Sequence, residues 1–199
     1  PQLLGGLISV PNHIDQKEHL AAVLNWVDAE AGNPAGSLLG LASANSLGLA
    51  GHSMGGKISL LLAAEDSRPD AVFGIDPVDS GPPFTLDPAG YPSVAPELMP
   101  SLGIPLVLLG ETVNATASFG QTPCAPAADN FQQYYQHAVG PALEIEVLDA
   151  NHMSFLDNTS ILPALACPAG SDDPAVTRSL TQGYLVAFFR ERLYGDSSM

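Results

Sequence analysis

Basic side chains are scarce in this sequence: six Lys and Arg stand against 21 Asp and Glu in 199 residues, a formal net charge of −15. So acidic a chain repels phosphate backbones and anionic lipid headgroups, which argues against nucleic acid as a partner. Otherwise the charge bears on solubility rather than on fold. Charged residues of either sign amount to 14% and hydrophobic residues to 46%, a balance that suits a buried sheet covered by helices and not a disordered or coiled-coil chain. Cysteine is limited to Cys124 and Cys167. The pair is compatible with one disulfide, and neither lies in a pattern of metal-ligand spacing, so no zinc site is expected. No apolar run approaches the ~18 residues of a membrane span. There is no internal repeat, no low-complexity tract and no visible leader; the chain starts at Pro1 rather than Met, which is compatible with a segment upstream. Asn114-Ala115-Thr116 and Asn158-Thr159-Ser160 are formal glycosylation acceptors that matter only in a secreted protein. The length favours one domain with a single sizeable core.

Helical and strand patterns alternate along the chain, the signature of an α/β architecture with a mostly parallel sheet flanked by helices. Asp15 to Ala31 reads as an amphipathic helix on the spacing of Leu20, Val23, Leu24 and Val27, ended by Gly32-Asn33-Pro34. Leu47 to Ala50 is a short buried strand, Met54 to Ala64 a helix, and Ala71 to Ile75 a second buried strand ending at Asp76-Pro77. The segment 77–105 carries eight prolines and little periodicity, so a long loop is expected there. Leu106 to Leu109 is a third strand, Asn130 to His137 a helix, and Leu143 to Leu148 a fourth strand. Alternation of Ile145 and Val147 with Glu144 and Glu146 suggests that this last strand is an edge with one wetter face. Thr177 to Leu193 closes the chain as an amphipathic helix bearing Leu180, Tyr184, Ala187, Phe188 and Leu193.

The segment that carries chemistry is Gly51-His52-Ser53-Met54-Gly55-Gly56. Gly-x-Ser-x-Gly between a strand and a helix is the nucleophile-elbow pattern. The serine sits in a tight turn, and the flanking glycines let strand and helix approach. The turn lifts the hydroxyl clear of the sheet and aims the next amide, that of Met54, at the oxygen that becomes negative in acyl transfer. The start of the following helix adds positive potential there.

A serine hydroxyl needs a base, and the histidines downstream are His137 and His152. His137 falls inside a helix. His152 follows the last strand by a few residues, where the chain order Ser, acid, His places the base. His52 is expected to pack or bond structurally, and His13 and His19 precede the elbow. The acid is either Asp76, at the end of the strand after the elbow helix, or Glu111, at the end of the next strand; the pattern alone leaves the two level. Asp79 and Asp149 read as solvated or capping carboxylates.

Gly51 to Lys57, Gly74-Ile75-Asp76-Pro77-Val78, Pro123-Cys124-Ala125-Pro126 and His152-Met153-x-x-Leu156-Asp157 occur in order. Together these segments resemble the chlorophyllase family of the α/β-hydrolase superfamily, serine hydrolases that cleave the phytyl ester of chlorophyll to chlorophyllide and phytol through an acyl-enzyme. The resemblance runs from Pro1-Gln2-Leu3, similar to the end of an earlier strand, to the loop after His152. It implies Ser53 as nucleophile, Asp76 as acid, His152 as base and Met54 as an oxyanion donor, a hydrophobic ester as substrate, and no metal or organic cofactor. For a chlorophyllase it further implies a plastid or thylakoid setting, with only transient membrane contact.

The Gly-His-Ser-Met-Gly-Gly form is also similar to bacterial lipase- and cutinase-like enzymes, which keeps a lipase, cutinase or polyester hydrolase, extracellular in that case, as the alternative. A non-catalytic receptor on a hydrolase scaffold is the reading from another class. Only 52 residues precede Ser53 and none reads as the usual second oxyanion loop. The expectation is therefore a single α/β-hydrolase domain over residues 1–199 that forms the C-terminal portion of a longer hydrolase, the missing N-terminal portion being its natural partner.

Overall fold

The structure is a computed structural model that describes residues 12–42, 46–81, 86–116, 123–157 and 167–198. Its described elements are helix α1 (His13–Gly32), strand β1 (Gly48–His52), helix α2 (Met54–Glu65), strand β2 (Ala71–Ile75), 3-10 turns at Pro88–Gly90 and Met99–Ser101, strand β3 (Leu106–Glu111), helix α3 (Phe131–His137), strand β4 (Ala142–Val147) and helix α4 (Pro174–Tyr194). The strands form one parallel sheet in the order β1-β2-β3-β4. The sequence pattern anticipates every one of these strands and helices, with boundaries shifted by a few residues. The Asn12 side chain accepts from the Asp15 amide to cap α1, and Asn130 and Asp173 cap α3 and α4 in the same way.

Period-two alternation in β2 and β3 divides the core between the two faces of the sheet. Val72, Leu106 and Leu108 pack with Leu60, Leu61 and Leu62 of α2, Phe131 and Tyr134 of α3, and Leu24 of α1. Phe73, Val107 and Leu109 face the other way, against Leu185, Phe188 and Phe189 of α4. Three helices therefore cover one face and α4 the other. β2 and β3 are flanked on both sides, which explains why they read as continuous apolar runs. β4 ends the described sheet, with Ile145 and Val147 turned toward α4 as its alternation suggested.

Two apolar stripes expected from spacing hold in part: Leu20 and Leu24 of α1 and Phe188 of α4 pack on the core. Val23 of α1 is half exposed, and in α4 Leu180 and Tyr184 are exposed while Thr177 and Thr181 are buried. The face of α4 is set by the ring cluster of Phe73, Phe188 and Phe189, whose centroids lie 5.3–6.0 Å apart, rather than by the leucine spacing. The 77–105 loop is less open than its prolines suggest. Met99 is fully buried in the core. Tyr91 stands edge-on to His13 with centroids 4.7 Å apart. Phe84, Pro1-Gln2-Leu3 and the Asn158 acceptor lie outside the described residues.

Candidate active site

Strand β1 ends at His52, and Ser53 extends its ladder by one bond, its amide donating to Ile75 O at 2.9 Å. The chain then reverses into α2. Ser53 takes φ 55 and ψ −122, a region L-residues rarely adopt. The glycines explain how the turn closes. A Cβ on Gly51 would lie 2.3 Å from the Gly55 carbonyl, so bulk is excluded there. On the helix side the close approach is at Gly56, where a Cβ would lie 2.8 Å from Gly51 O; Gly55, expected to be the tight position, has open space around it. The motif is right but its second steric glycine is one residue later.

Asp76 stands one residue beyond β2 as Ser53 does beyond β1, its amide donating to Leu109 O, and it too has positive φ, at 43. Backbone strain is thus held at two strand ends, each tied by one further ladder bond. His152 comes from the loop after β4. Its Nδ1–H donates to Asp76 Oδ2 at 2.6 Å and its Nε2 accepts from Ser53 Oγ at 2.9 Å. Asp76 is fully buried and His152 nearly so, while Ser53 keeps some exposure. A buried carboxylate on Nδ1 selects the tautomer whose Nε2 faces the hydroxyl, so the arrangement can take a proton from Ser53. Burial pushes the Asp76 carboxyl above its ordinary range, and the bond and charge of His152 pull it back.

The sequence left the acid open between Asp76 and Glu111; the side chain within reach of the imidazole is Asp76. Glu111, at the end of β3, is also buried, but its Oε2 accepts from the amides of Val113 and Asn114 at 2.5 and 2.7 Å. Burial, and then the Asp76 charge, raise Glu111 to about 7. The Met54 amide opens α2 beside Ser53 as expected, and the Met54 side chain is partly exposed, its Sδ accepting from Gln16 Nε2.

Asn114, not foreseen in this role, and His52, expected to pack or bond structurally, both hold His152. Its backbone N–H donates to Asn114 Oδ1 at 2.9 Å, and its C=O accepts from His52 Nε2–H at 2.9 Å. The His52 ring also lies against the His152 ring, centroids 4.6 Å apart. Burial first, then the proximity of His152, lowers His52 to about 4, so at neutral pH it donates as an uncharged ring with its proton on Nε2. Asn114 is fully buried and also donates through Nδ2 to Pro168 O at 3.0 Å. The formal acceptor at Asn114 is therefore an inaccessible structural amide. Asn114→Ala strands the buried His152 amide, and a loss of about 1–3 kcal/mol in urea-unfolding stability is expected.

His137 bonds Gln133 O within α3, away from the site. Asp79 is neither solvated nor a simple cap: it is buried and paired with Lys57 Nζ at 3.2 Å from Oδ1. Cys124 and Cys167 form a disulfide with Cα atoms 5.5 Å apart. It joins the loop after β3 to the segment after His152, next to Pro168.

Known proteins share both the sequence pattern and the architecture. Chlorophyllase-1 of Arabidopsis thaliana is 25% identical over 162 residues, covering 75% of this chain and 50% of that protein. Chlorophyllase-1, chloroplastic, of Citrus sinensis is 27% identical over 166 residues, covering 78% and 48%. The chain thus spans about half the length of these relatives. A solved ferulic acid esterase from Streptomyces cinnamoneus superposes with a TM-score of 0.64 at 22% identity, over 94% of this chain and 50% of its own, which shows the α/β-hydrolase fold. The Chlorophyllase family model matches residues 1–199, and the chain belongs to the chlorophyllase family.

Proposed function

We propose that this chain carries the triad of a serine carboxylic-ester hydrolase whose substrate is the phytyl ester of chlorophyll. The observation that carries the reading is the unbroken chain Ser53 Oγ, His152 Nε2, His152 Nδ1, Asp76 Oδ2, with both links within hydrogen-bond distance. Membership of the chlorophyllase family supports this choice of ester.

In this reading Ser53 Oγ bonds to the ester carbonyl carbon while His152 Nε2 takes the hydroxyl proton. The Met54 N–H and the start of α2 meet the negative oxygen of the tetrahedral intermediate. The bond to the alcohol oxygen breaks as His152 returns the proton to it, and phytol leaves. Water, deprotonated by the same nitrogen, releases the acid from Ser53. Asp76 stays charged throughout, holding the imidazole and balancing its transient cation.

No helix among the described residues is long and apolar enough to cross a membrane. A chlorophyll substrate brings the protein to plastid membranes by transient contact; the name of the Citrus sinensis relative places that protein in the chloroplast. One preparation offered chlorophyll, a p-nitrophenyl ester and a polyester film, alongside a fluorophosphonate probe, tests the reading. Labelling at Ser53 with release of chlorophyllide is expected. Labelling with turnover of the other esters alone would move the substrate to the lipase or cutinase class, and no labelling would remove the serine mechanism.

A further inference from the structure

Two buried carboxyls stand at the ends of the paired strands β2 and β3, and each has one oxygen without a hydrogen-bond partner, Asp76 Oδ1 and Glu111 Oε1. A backbone bond from Glu111 also acts on the Asp76 carboxyl, which brings the two residues together. Their other oxygens are engaged, Asp76 Oδ2 with His152 and Glu111 Oε2 with two backbone amides. An unpaired buried carboxylate oxygen is costly, and two charged carboxyls side by side more so. The structure removes both costs if one proton is shared. We propose that Glu111 is a positioning residue that carries this proton and donates Oε1–H to Asp76 Oδ1, leaving Asp76 charged toward His152. The inference rests on the reading of Asp76 and His152 as acid and base.

The charged and titratable groups acting on Glu111 are Asp76 at the end of β2 and His152 from the loop after β4; its own loop contributes the amides of Val113 and Asn114. Burial and the Asp76 charge favour the proton, and the amides and His152 oppose it. The group therefore loses its proton near neutral pH, when a second negative charge appears behind the imidazole. That charge holds a proton on the base, so the acid limb of kcat/KM lies at higher pH in the wild type than in a protein whose residue 111 cannot ionise. Glu111→Gln is that protein: its carbonyl still accepts from Val113 and Asn114, and its amide N–H donates to Asp76.

The test is an infrared pH-difference spectrum of the full chain together with pH–rate profiles on a p-nitrophenyl ester. A carboxylic-acid C=O band present at pH 6 and lost by about pH 8 is expected in the wild type, absent in E111Q. The acid limb of E111Q should move to lower pH. E111A, which cannot donate, should lose on the order of tenfold in kcat/KM, the worth of one hydrogen bond, with E111Q recovering most of it. In D76N the repelling charge is gone, so the band should disappear at lower pH than in the wild type. A wild type without the band, a band that survives in E111Q, or an acid limb unmoved by E111Q would each overturn the proposal. The band is read without turnover, so failure of the serine mechanism shows separately, as absent fluorophosphonate labelling.

Discussion

Ser53→Ala is expected to lower kcat for ester hydrolysis by about 10⁶-fold, and Asp76→Asn by about 10⁴-fold. The first removes the hydroxyl that bonds His152 Nε2, and what remains is whatever the oxyanion donors and substrate binding contribute alone. The second keeps shape and burial but places an amide at 2.6 Å from Nδ1. An amide N–H there favours the tautomer with its proton on Nε2, which can no longer accept from Ser53. Initial rates on a soluble p-nitrophenyl ester, with circular dichroism to confirm folding, check both. The effects should not add: Ser53→Ala with Asp76→Asn should be little worse than Ser53→Ala alone, because the groups act as a unit. If Asp76→Asn costs less than tenfold while Glu111→Gln collapses the rate, the acid is Glu111 and the orientation of His152 changes in solution.

That choice between Asp76 and Glu111 also marks what the sequence could and could not convey. Strands β2 and β3 were legible because apolar runs buried on both faces leave a continuous signature, and the elbow because its glycines follow from steric demands. The acid was not. Both carboxylates end neighbouring parallel strands, and only the turn at Asp76, with φ 43, swings its side chain to His152. No residue pattern encodes that rotation; the resemblance in Ile75-Asp76-Pro77 supplied it. Asn114 was missed for a related reason. It acts through one hydrogen bond to the backbone of His152 across 38 residues, and a buried asparagine looks in sequence like any loop asparagine. The stripe on α4 was right at Phe188 and wrong at Leu180 and Tyr184, because the packing of Phe188 and Phe189 near Phe73 outweighs leucine periodicity.

The elbow helix is tied through Lys57 to a third buried carboxylate, Asp79, whose loss should be the largest stability effect of any single substitution outside the core. Asp79→Ala is expected to cost about 3–5 kcal/mol, read by urea unfolding. Lys57, one turn into α2 after Ser53, is completely buried, and its Nζ donates to the Asp79 carbonyl and pairs with Asp79 Oδ1. Burial lowers Lys57, and Asp79 only partly restores it. The Asp79 carboxyl is raised by burial, but bonds from Ser93 Oγ at 2.6 Å and from the amides of Val94 and Ala95 outweigh that, so it is held below its ordinary range. Removing it leaves a buried cation and two buried amides uncompensated. Lys57→Met should cost less, because those three donors still satisfy the carboxylate. Lys57→Met added to Asp79→Ala should then recover part of the loss, since no charge is left in the apolar interior. Strict additivity in that cycle would mean the pair contributes no coupling. The proline-rich loop would then be held to α2 by packing and by the bond from Lys57 Nζ to the Asp79 carbonyl.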